Sequence, residues 1–454
     1  MQVRIVISLG VTLGLLAAVE GGLSARGDDW PQFRGGPRLG VAANARVPLQ
    51  WSDTDHLAWR TAIPGAGWSQ PVVAGGRIFL TTAVGAAADR PSGMGGAMSF
   101  STWGWGSAPK DPVQWLVLCL DPADGKILWS RTIATGVPKY GKHASNSYAT
   151  ETPCASADTV FAFFGATGTL VALGHDGTER WRRDLGPQPI QNQFGTGSSP
   201  VLVRDPRTGG DRLLVQLYNE EAARLHCLDP RTGADLWTAD RGKGTSWSTP
   251  VAWTNERGAE VVTAGQGMVI AYALDDGAER WRLGGIDTSF ACSVGADADG
   301  VYIGTSSPGS RAPLCCVARG HAGDLTLPKG QTATAAVPWS RFKSGAGMPS
   351  PVVANGLLYY FGDKAVCYDA RTGDEKYRKR LPGGTTCVGC PLVVGDRIYV
   401  VNEKGRTVVI QVGPEFTILA ESTLGGGDEV FWATPAVAGD ALLIRSSAAV
   451  YCIR

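Results

Sequence analysis

The chain reads as an all-β, eight-bladed propeller of four-stranded antiparallel blades, closed by an N-terminal strand that completes the last blade. Three observations predict it: a turn-rich composition, a four-strand unit that recurs along the chain, and a final unit one strand short. Hydrophobic residues make up 44% of the 454 residues and charged residues only 18%, while 61 Gly and 27 Pro fall in short clusters throughout. That combination is the profile of a turn-rich β protein with a large core.

The repeat is carried by a turn of the form Asp-x-x-x-Gly or Asp-Gly with an aromatic four residues beyond its glycine. Gly125 with Trp129, Gly177 with Trp181, Gly233 with Trp237, Gly277 with Trp281 and Gly373 with Tyr377 keep that offset. Upstream lies a phrase such as Trp68-Ser-Gln-Pro-Val-Val or Ser350-Pro-Val-Val, then a Gly-containing turn and an apolar pair such as Ile78-Phe79. Each unit therefore holds four strands: one after the Ser/Thr-x-Pro phrase, one with the apolar pair, one ending at the Asp turn, and one bearing the Trp. Such units at a long period mean blades around an axis.

First strands begin near Pro71, Pro153, Pro200, Pro250, the looser Cys292-Ser-Val, Pro351, Pro391 and Pro435, giving eight blades. The last unit, Pro435 to Arg454, has three strands. The segment His56-Leu-Ala-Trp59-Arg-Thr-Ala-Ile63 resembles Leu128-Trp129-Ser-Arg-Thr-Ile133 and is expected to supply the fourth. Pairing the two ends of the chain removes the exposed edges of an open ring. Two insertions interrupt the period. Residues 83–112 join strands two and three of blade 1 and should overhang the mouth of the axial funnel, and residues 318–336 lengthen the last turn of blade 5. Neither is long enough for a second domain, so residues 26–454 are expected to form one propeller.

Charge is balanced, 42 Lys plus Arg against 41 Asp plus Glu, without a run of one sign. This pattern carries no nucleic-acid footprint and no polybasic membrane patch. Arg4 precedes an apolar stretch from Ile5 to Val19 and small residues ending at Ala25, the pattern of a secretory signal over residues 1–25. The mature chain is expected to be exported, periplasmic or associated with the cell envelope. An uncleaved anchor is the alternative on the same pattern. The first cysteine is Cys119, which excludes a lipid on an N-terminal cysteine, and no later stretch reaches the roughly 20 apolar residues of a transmembrane helix.

Cys119, Cys227, Cys316, Cys367 and Cys452 fall at one position of strand three, which Ala172 and Ala273 are read as holding in two other blades. A slot that takes Ala or Cys is a tight core slot in which a thiol acts as a small hydrophobe. Cys387 and Cys390 form a lone pair with no second pair and no regularly spaced histidine, so a local disulfide or two thiols is expected before zinc. Gly195-Thr-Gly197 and Gly265-Gln-Gly267 sit between strands and read as turns or bulges, not phosphate loops. The chain has no Gly-x-Ser-x-Gly elbow and no His-Glu-x-x-His pair.

The tryptophans divide into two groups. Trp59, Trp129, Trp181, Trp237 and Trp281 recur at one structural position and are expected to lock neighbouring blades by packing and an indole hydrogen bond. Trp68, Trp247, Phe290, Phe431 and Trp432 precede first strands and are expected at the funnel mouth, with Glu151 the one carboxylate in those phrases. Exposed aromatics around a concavity favour a protein or peptide partner; packing beneath the first insertion is their other reading.

The phrases Trp30-Pro-Gln-Phe-Arg-Gly, Asn146-Ser-Tyr-Ala-Thr-Glu-Thr-Pro153, Gly195-Thr-Gly-Ser-Ser-Pro200, Val261-Val-Thr-Ala-Gly265 and Ala433-Thr-Pro-Ala-Val-Ala-Gly together resemble the quinoprotein-like propeller proteins of the planctomycete type. The resemblance spans nearly the whole chain. It implies two kinds of relative, the propeller scaffold of the outer-membrane β-barrel assembly machinery and the quinone-dependent alcohol dehydrogenases, and fold does not choose between them. A dehydrogenase of that kind would hold pyrroloquinoline quinone (PQQ) and Ca²⁺ with several oxygen ligands, a catalytic carboxylate and an aromatic floor. Asn146 and Asn192 would add amide oxygens to Glu151, with Asp287 and Glu429 a few residues away. That is no dedicated cage. Cys315-Cys316 would mimic the vicinal disulfide of some such enzymes, but strand neighbours point to opposite faces. The expected function is a non-catalytic binding or scaffolding module without a cofactor, taking an exported or outer-membrane protein or peptide at the funnel mouth. A PQQ- and Ca²⁺-dependent alcohol or sugar dehydrogenase is the alternative.

Overall fold

A computed structural model describes residues 29–454 except 37, 94–106, 287, 305–313, 342–346 and 385. The signal segment 1–25 and Asp287 lie outside the described residues. Eight sheets, each with four antiparallel strands, are arranged as blades, sequential in all but the last. Blade 1 runs Val72–Ala74, Arg77–Val84, Val113–Leu120 and Ile127–Gly136. Blades 2 to 8 open with the first strands Cys154–Ala155, Val201–Arg204, Val251–Asn255, Gly295–Ala296, Val352–Ala354, Leu392–Val394 and Ala436–Ala438. The first strands of blades 8 and 1 touch, as do those of blades 1 and 2, 2 and 3, 5 and 6, and 6 and 7, and the ring is closed around an axis. No helix among the described residues is long and apolar enough to cross a membrane.

Closure is by the N-terminal strand Leu57–Ala62, which pairs antiparallel with Ala449–Ile453 as the outer strand of blade 8. Before reaching it, the chain winds through the axial channel. Trp30 bridges Val73 of blade 1, Pro31 O accepts from Ala155 N, and Gln32 Oε1 accepts from Leu202 N. Arg34 donates to Val294 O and Pro351 O, Gly40 O accepts from Val393 N, and Val41–Ala42 pairs parallel with Leu392–Val394. In this way residues 30–42 touch the first strands or flanking residues of blades 1, 2, 3, 5, 6 and 7 in turn. The Trp-Pro-Gln-Phe-Arg-Gly phrase, legible only as a family signature, is this axial plug. Its turn needs Gly35 at φ 78°, because a Cβ there would meet the Trp30 indole at 2.8 Å.

Five seams share one lock. The indole Nε1 of Trp59, Trp129, Trp181, Trp237 and Trp339 donates to a carbonyl of the next blade: Pro122, His175, Pro230, Leu274 and Ala370, at 2.8–3.1 Å. Each indole lies on the turn glycine of that next blade. A Cβ would sit 2.7 Å from Trp181 at Gly233, 2.6 Å from Trp237 at Gly277 and 2.5 Å from Trp339 at Gly373. The glycine-to-tryptophan spacing is thus two half-sites, a seat for the preceding blade and an anchor for the following one. A β-bulge one residue before the aromatic aims it across the seam. The bulge leaves Leu128 and Leu236 outward on the rim, 43% and 48% exposed.

Two expectations need correction, and one lock residue was missed. Trp281 does not bond to the next blade; its Nε1 donates to Glu260 Oε2 of its own blade at 3.0 Å. The insertion in blade 5 has replaced the glycine turn that would receive it, and Gly323–Asp324 from that insertion pairs parallel beside Trp281–Arg282. Trp339 fills the lock position of blade 5, missed in the sequence because the same insertion separates it from any Asp-Gly turn. The residue opposite Trp281 is Ala271, not Ala273: Cys119, Cys227, Cys316, Cys367 and Cys452 face Trp129, Trp237, Trp339, Tyr377 and Trp59, and Ala172 faces Trp181. All ten cysteines are buried free thiols, Cys315, Cys316, Cys387 and Cys390 among them.

Candidate functional site

The mouth is built on a ring of side chains that precede the first strands: Gln70, Thr152, Ser199, Thr249, Ser293, Ser350, Cys390 and Thr434. The backbone N–H of every one but Thr434 donates to the hydroxyl or thiol of its counterpart in the next blade. Gln70 to Thr152, Thr152 to Ser199, Ser199 to Thr249, Thr249 to Ser293 and Ser293 to Ser350 span 2.9–3.1 Å. Ser350 N donates to Cys390 Sγ at 3.3 Å and Cys390 N to Thr434 Oγ1 at 3.0 Å. The circle is completed differently at the blade 8 to blade 1 seam, where Gln70 Nε2 donates to Pro435 O and Gln70 Oε1 accepts from Arg34 N. A small hydroxyl before a proline was legible at Thr152, Ser199, Thr249, Ser350 and Thr434, but its partner in the next blade was not.

Two residues upstream of this ring each blade presents one side chain to the mouth: Trp68, Thr150, Gly197, Trp247, Ala291, Met348, Val388 and Trp432. They are not equally accessible. Trp68 and Trp432 stack at 5.7 Å and bury each other against Val388 and Val430. Trp68 Nε1 donates to Ser145 O at 2.8 Å, and Trp432 Nε1 to Glu403 Oε2 at 3.5 Å. The described flank of the first insertion reaches this side: Ser92 N donates to Ala144 O, and a Cβ at Gly93 would lie 2.9 Å from Glu403 Oε2. From Thr150 round to Val388 the equivalent positions are partly or fully exposed, with Met348 at 38%.

The predicted aromatic ring is therefore only partly realised. Phe290 and Phe431 are buried, at 0% and 1% exposure, because they stand one residue before the mouth-facing position and point to the other side of the chain. Phe431 packs on Tyr451 at 5.9 Å, and Phe290 belongs to the core of blades 4 and 5. Trp68 and Trp432 face the mouth but are covered. Trp247 alone of the five keeps an accessible face; its Nε1 donates to Gly195 O at 2.7 Å and its ring stacks on Phe194 at 6.5 Å. Phe194 was not foreseen. It lies in the long connection from blade 2 to blade 3, where Asn192 and Gln193 both take positive φ, and Asn146 Nδ2 bonds to Phe194 O and Thr196 O.

Glu151 is 1% exposed, below the mouth rather than at it. Its Oε1 accepts from Gly165 N at 3.2 Å, and burial pushes its carboxyl up to about 7. Glu429 stands apart on the rim of blade 8, held by Arg60 at 2.7 Å, Ser446 at 2.6 Å and Tyr451 at 2.8 Å, and these bonds pull its carboxyl below the usual range against its burial. These residues do not fit PQQ and Ca²⁺. A calcium ligand set needs several carboxylate and carbonyl oxygens, whereas Glu151 is a single carboxyl whose Oε1 is already faced by the Gly165 N–H donor. No group of three or more His, Cys, Asp or Glu stands close enough to hold a metal among the described residues. The amide oxygen of Asn146 already accepts from Ser147 N and Thr150 Oγ1. Trp68 and Trp432 cover each other instead of flooring a slot. Cys316 faces Trp339 inside blade 5, and both vicinal thiols are buried there.

An eight-bladed ring with indole-locked seams and a mouth of mixed aromatic and small residues defines a propeller of PQQ-type repeats. A family model described as outer membrane protein assembly factor BamB matches residues 114–289 and 318–413, more than half of the chain, and the protein belongs to that family. The outer membrane protein assembly factor BamB of Yersinia pestis is 23% identical over 311 residues, covering 65% of this chain and 70% of that relative. Among solved structures, the quinohemoprotein alcohol dehydrogenase of Comamonas testosteroni superposes with a TM-score of 0.63 at 12% identity, over 94% of this chain and 81% of that one. A europium-containing methanol dehydrogenase gives 0.53 at 12% identity, over 93% and 90%. At such identities the two enzymes speak for the fold alone.

Proposed function

We propose that this protein is an exported, non-catalytic propeller that holds a segment of an exported or outer-membrane polypeptide on the accessible arc of its mouth. The observation that carries the reading is Trp247: a tryptophan fixed by an indole hydrogen bond and by stacking on Phe194, yet left with an accessible face above a buried polar ring. A rigid aromatic anchor of this kind supplies contact area at little entropic cost. Membership of the BamB family and the pattern Arg4, Ile5 to Val19, Ala25 support an assembly role in the cell envelope. The misfit of the buried residues to PQQ and Ca²⁺ favours binding over oxidation.

The test is to titrate the protein with an outer-membrane β-barrel protein diluted from denaturant and to follow binding by calorimetry. Trp247→Ala should weaken binding by roughly tenfold or more, with an unchanged circular dichroism spectrum, because Trp247 is not one of the seam indoles. Equal affinity in the two proteins would remove the mouth as the site. Calcium-dependent dye reduction on reconstitution with PQQ, abolished by Glu151→Gln, would replace scaffold by dehydrogenase.

A further inference from the structure

The axial plug carries a charge that has no counter-ion among the described residues. Arg34 is 2% exposed. Its terminal nitrogens donate to the carbonyls of Val294, Leu39 and Pro351, while its Nε has no partner. The groups that act on it electrostatically are Cys292, Cys390 and Tyr360, and no carboxylate is among its contacts. Carbonyl oxygens orient a guanidinium but do not neutralise it, and buried charges are normally paired.

Beside it lies a cavity of about 30 Å³, lined by Gln32, Arg34, Thr249 and Ser293 and otherwise largely by apolar residues such as Phe33, Leu39 and Val251. That is room for about two water-sized centres, or one monovalent ion. The two hydroxyls on its wall belong to the mouth ring: Thr249 Oγ1 accepts from Ser199 N and Ser293 Oγ accepts from Thr249 N. A hydroxyl that accepts in this way keeps its own hydrogen to give, and no acceptor takes either one among the described contacts. A small cavity bounded by an unpaired cation and two free O–H donors has the character of an anion site.

We propose that the axial channel holds one chloride-sized monovalent anion between Arg34 and the hydroxyls of Thr249 and Ser293. The ion neutralises the plug and ties the N-terminal segment to blades 3, 4 and 5.

Crystals of the full chain grown with bromide replacing chloride should show an anomalous peak in this cavity; a cavity filled by water, with no anomalous signal, overturns the proposal. In solution, thermal melts are taken from gluconate into chloride at constant ionic strength, since gluconate is too large to enter. The melting temperature should rise saturably, by about 2 °C. Arg231→Ala, a change to an exposed arginine on a rim turn, should keep that response, and Arg34→Met should abolish it. A chloride response that survives in Arg34→Met refutes the site. If that variant does not fold, the bromide map of the unaltered chain decides.

Discussion

The seam between blades 1 and 2 and the seam between blades 4 and 5 begin from the same local sequence, a turn glycine with a tryptophan four residues on. They end with different chemistry. Trp129 crosses to His175 O and rests on Gly177. Trp281 finds no such turn in blade 5, folds back onto the Glu260 carboxylate of its own blade, and is walled in by the parallel pair at Gly323–Asp324. The tryptophan is an anchor with a free donor, and the following blade decides where that donor goes. An insertion in one blade thus rewires the blade before it. The last seams show the same dependence. Blade 7 carries Ala420 where other blades carry an aromatic, and there Trp51 of the N-terminal segment stacks on Tyr399 at 6.2 Å while its backbone N–H donates to Ser422 Oγ.

The largest effect is expected where the seat of a regular seam is filled. Gly373 and Gly356 share blade 6 and the same backbone, φ 72° and 73°, but a Cβ at Gly373 meets Trp339 at 2.5 Å whereas one at Gly356 meets nothing within 4 Å. Both Gly→Ala changes carry left-handed strain of about 1–2 kcal/mol. Gly373→Ala should cost a further ~1–3 kcal/mol for overpacking, read from urea unfolding. Equal costs would mean that the indole does not need its glycine seat.

The seam between blades 2 and 3 adds a buried carboxyl to the comparison. Burial lifts Glu151 from about 4.5 to about 7, so the folded protein holds a proton that the unfolded chain has already lost. Stability should therefore fall as pH rises from about 4.5 to 7 and level off above. Glu151→Gln should flatten that slope and raise stability at pH 8 by up to about 3 kcal/mol. Thermal melts of the two proteins that run parallel from pH 5 to pH 8 would show the carboxyl to be relaxed or hydrated.

Removing the donor separates the two seam types directly. Trp281→Phe strips the N–H from a buried carboxyl and should cost about 1–3 kcal/mol beyond the lost volume; Trp129→Phe frees only a backbone carbonyl and should cost about 0.5–1.5 kcal/mol. The reverse ranking in chemical denaturation would break the distinction drawn here. The smallest effect is expected under the indole of a regular seam. Cys119→Ala gives blade 1 the pairing that blade 2 already has between Ala172 and Trp181 and should cost less than about 1 kcal/mol, whereas Cys119→Leu should cost about 1–3 kcal/mol by overpacking.

The eight-fold repeat, the blade boundaries and the closing strand at 57–62 were legible because each is local: a turn glycine, an alternating strand and a bulge signal recur wherever the same four strands must pack. The thiol slot was legible for the same reason, save the shift from Ala273 to Ala271. What the sequence could not carry was every property that depends on the neighbour. The direction of the Trp281 donor rested on an insertion 40 residues downstream, and the arrival of Trp339 at a seam was hidden by that same insertion. Covering of Trp68 and Trp432 rested on their meeting across the blade 8 to blade 1 closure, while Phe194 came to Trp247 through a loop with no repeat of its own. The hydroxyls before the prolines were visible one by one, but their circle exists only when eight blades stand side by side. Arg34 is the clearest case. In the sequence it is one of 42 cations, and only the closed ring takes it out of water, surrounds it with carbonyls and leaves its charge to be answered.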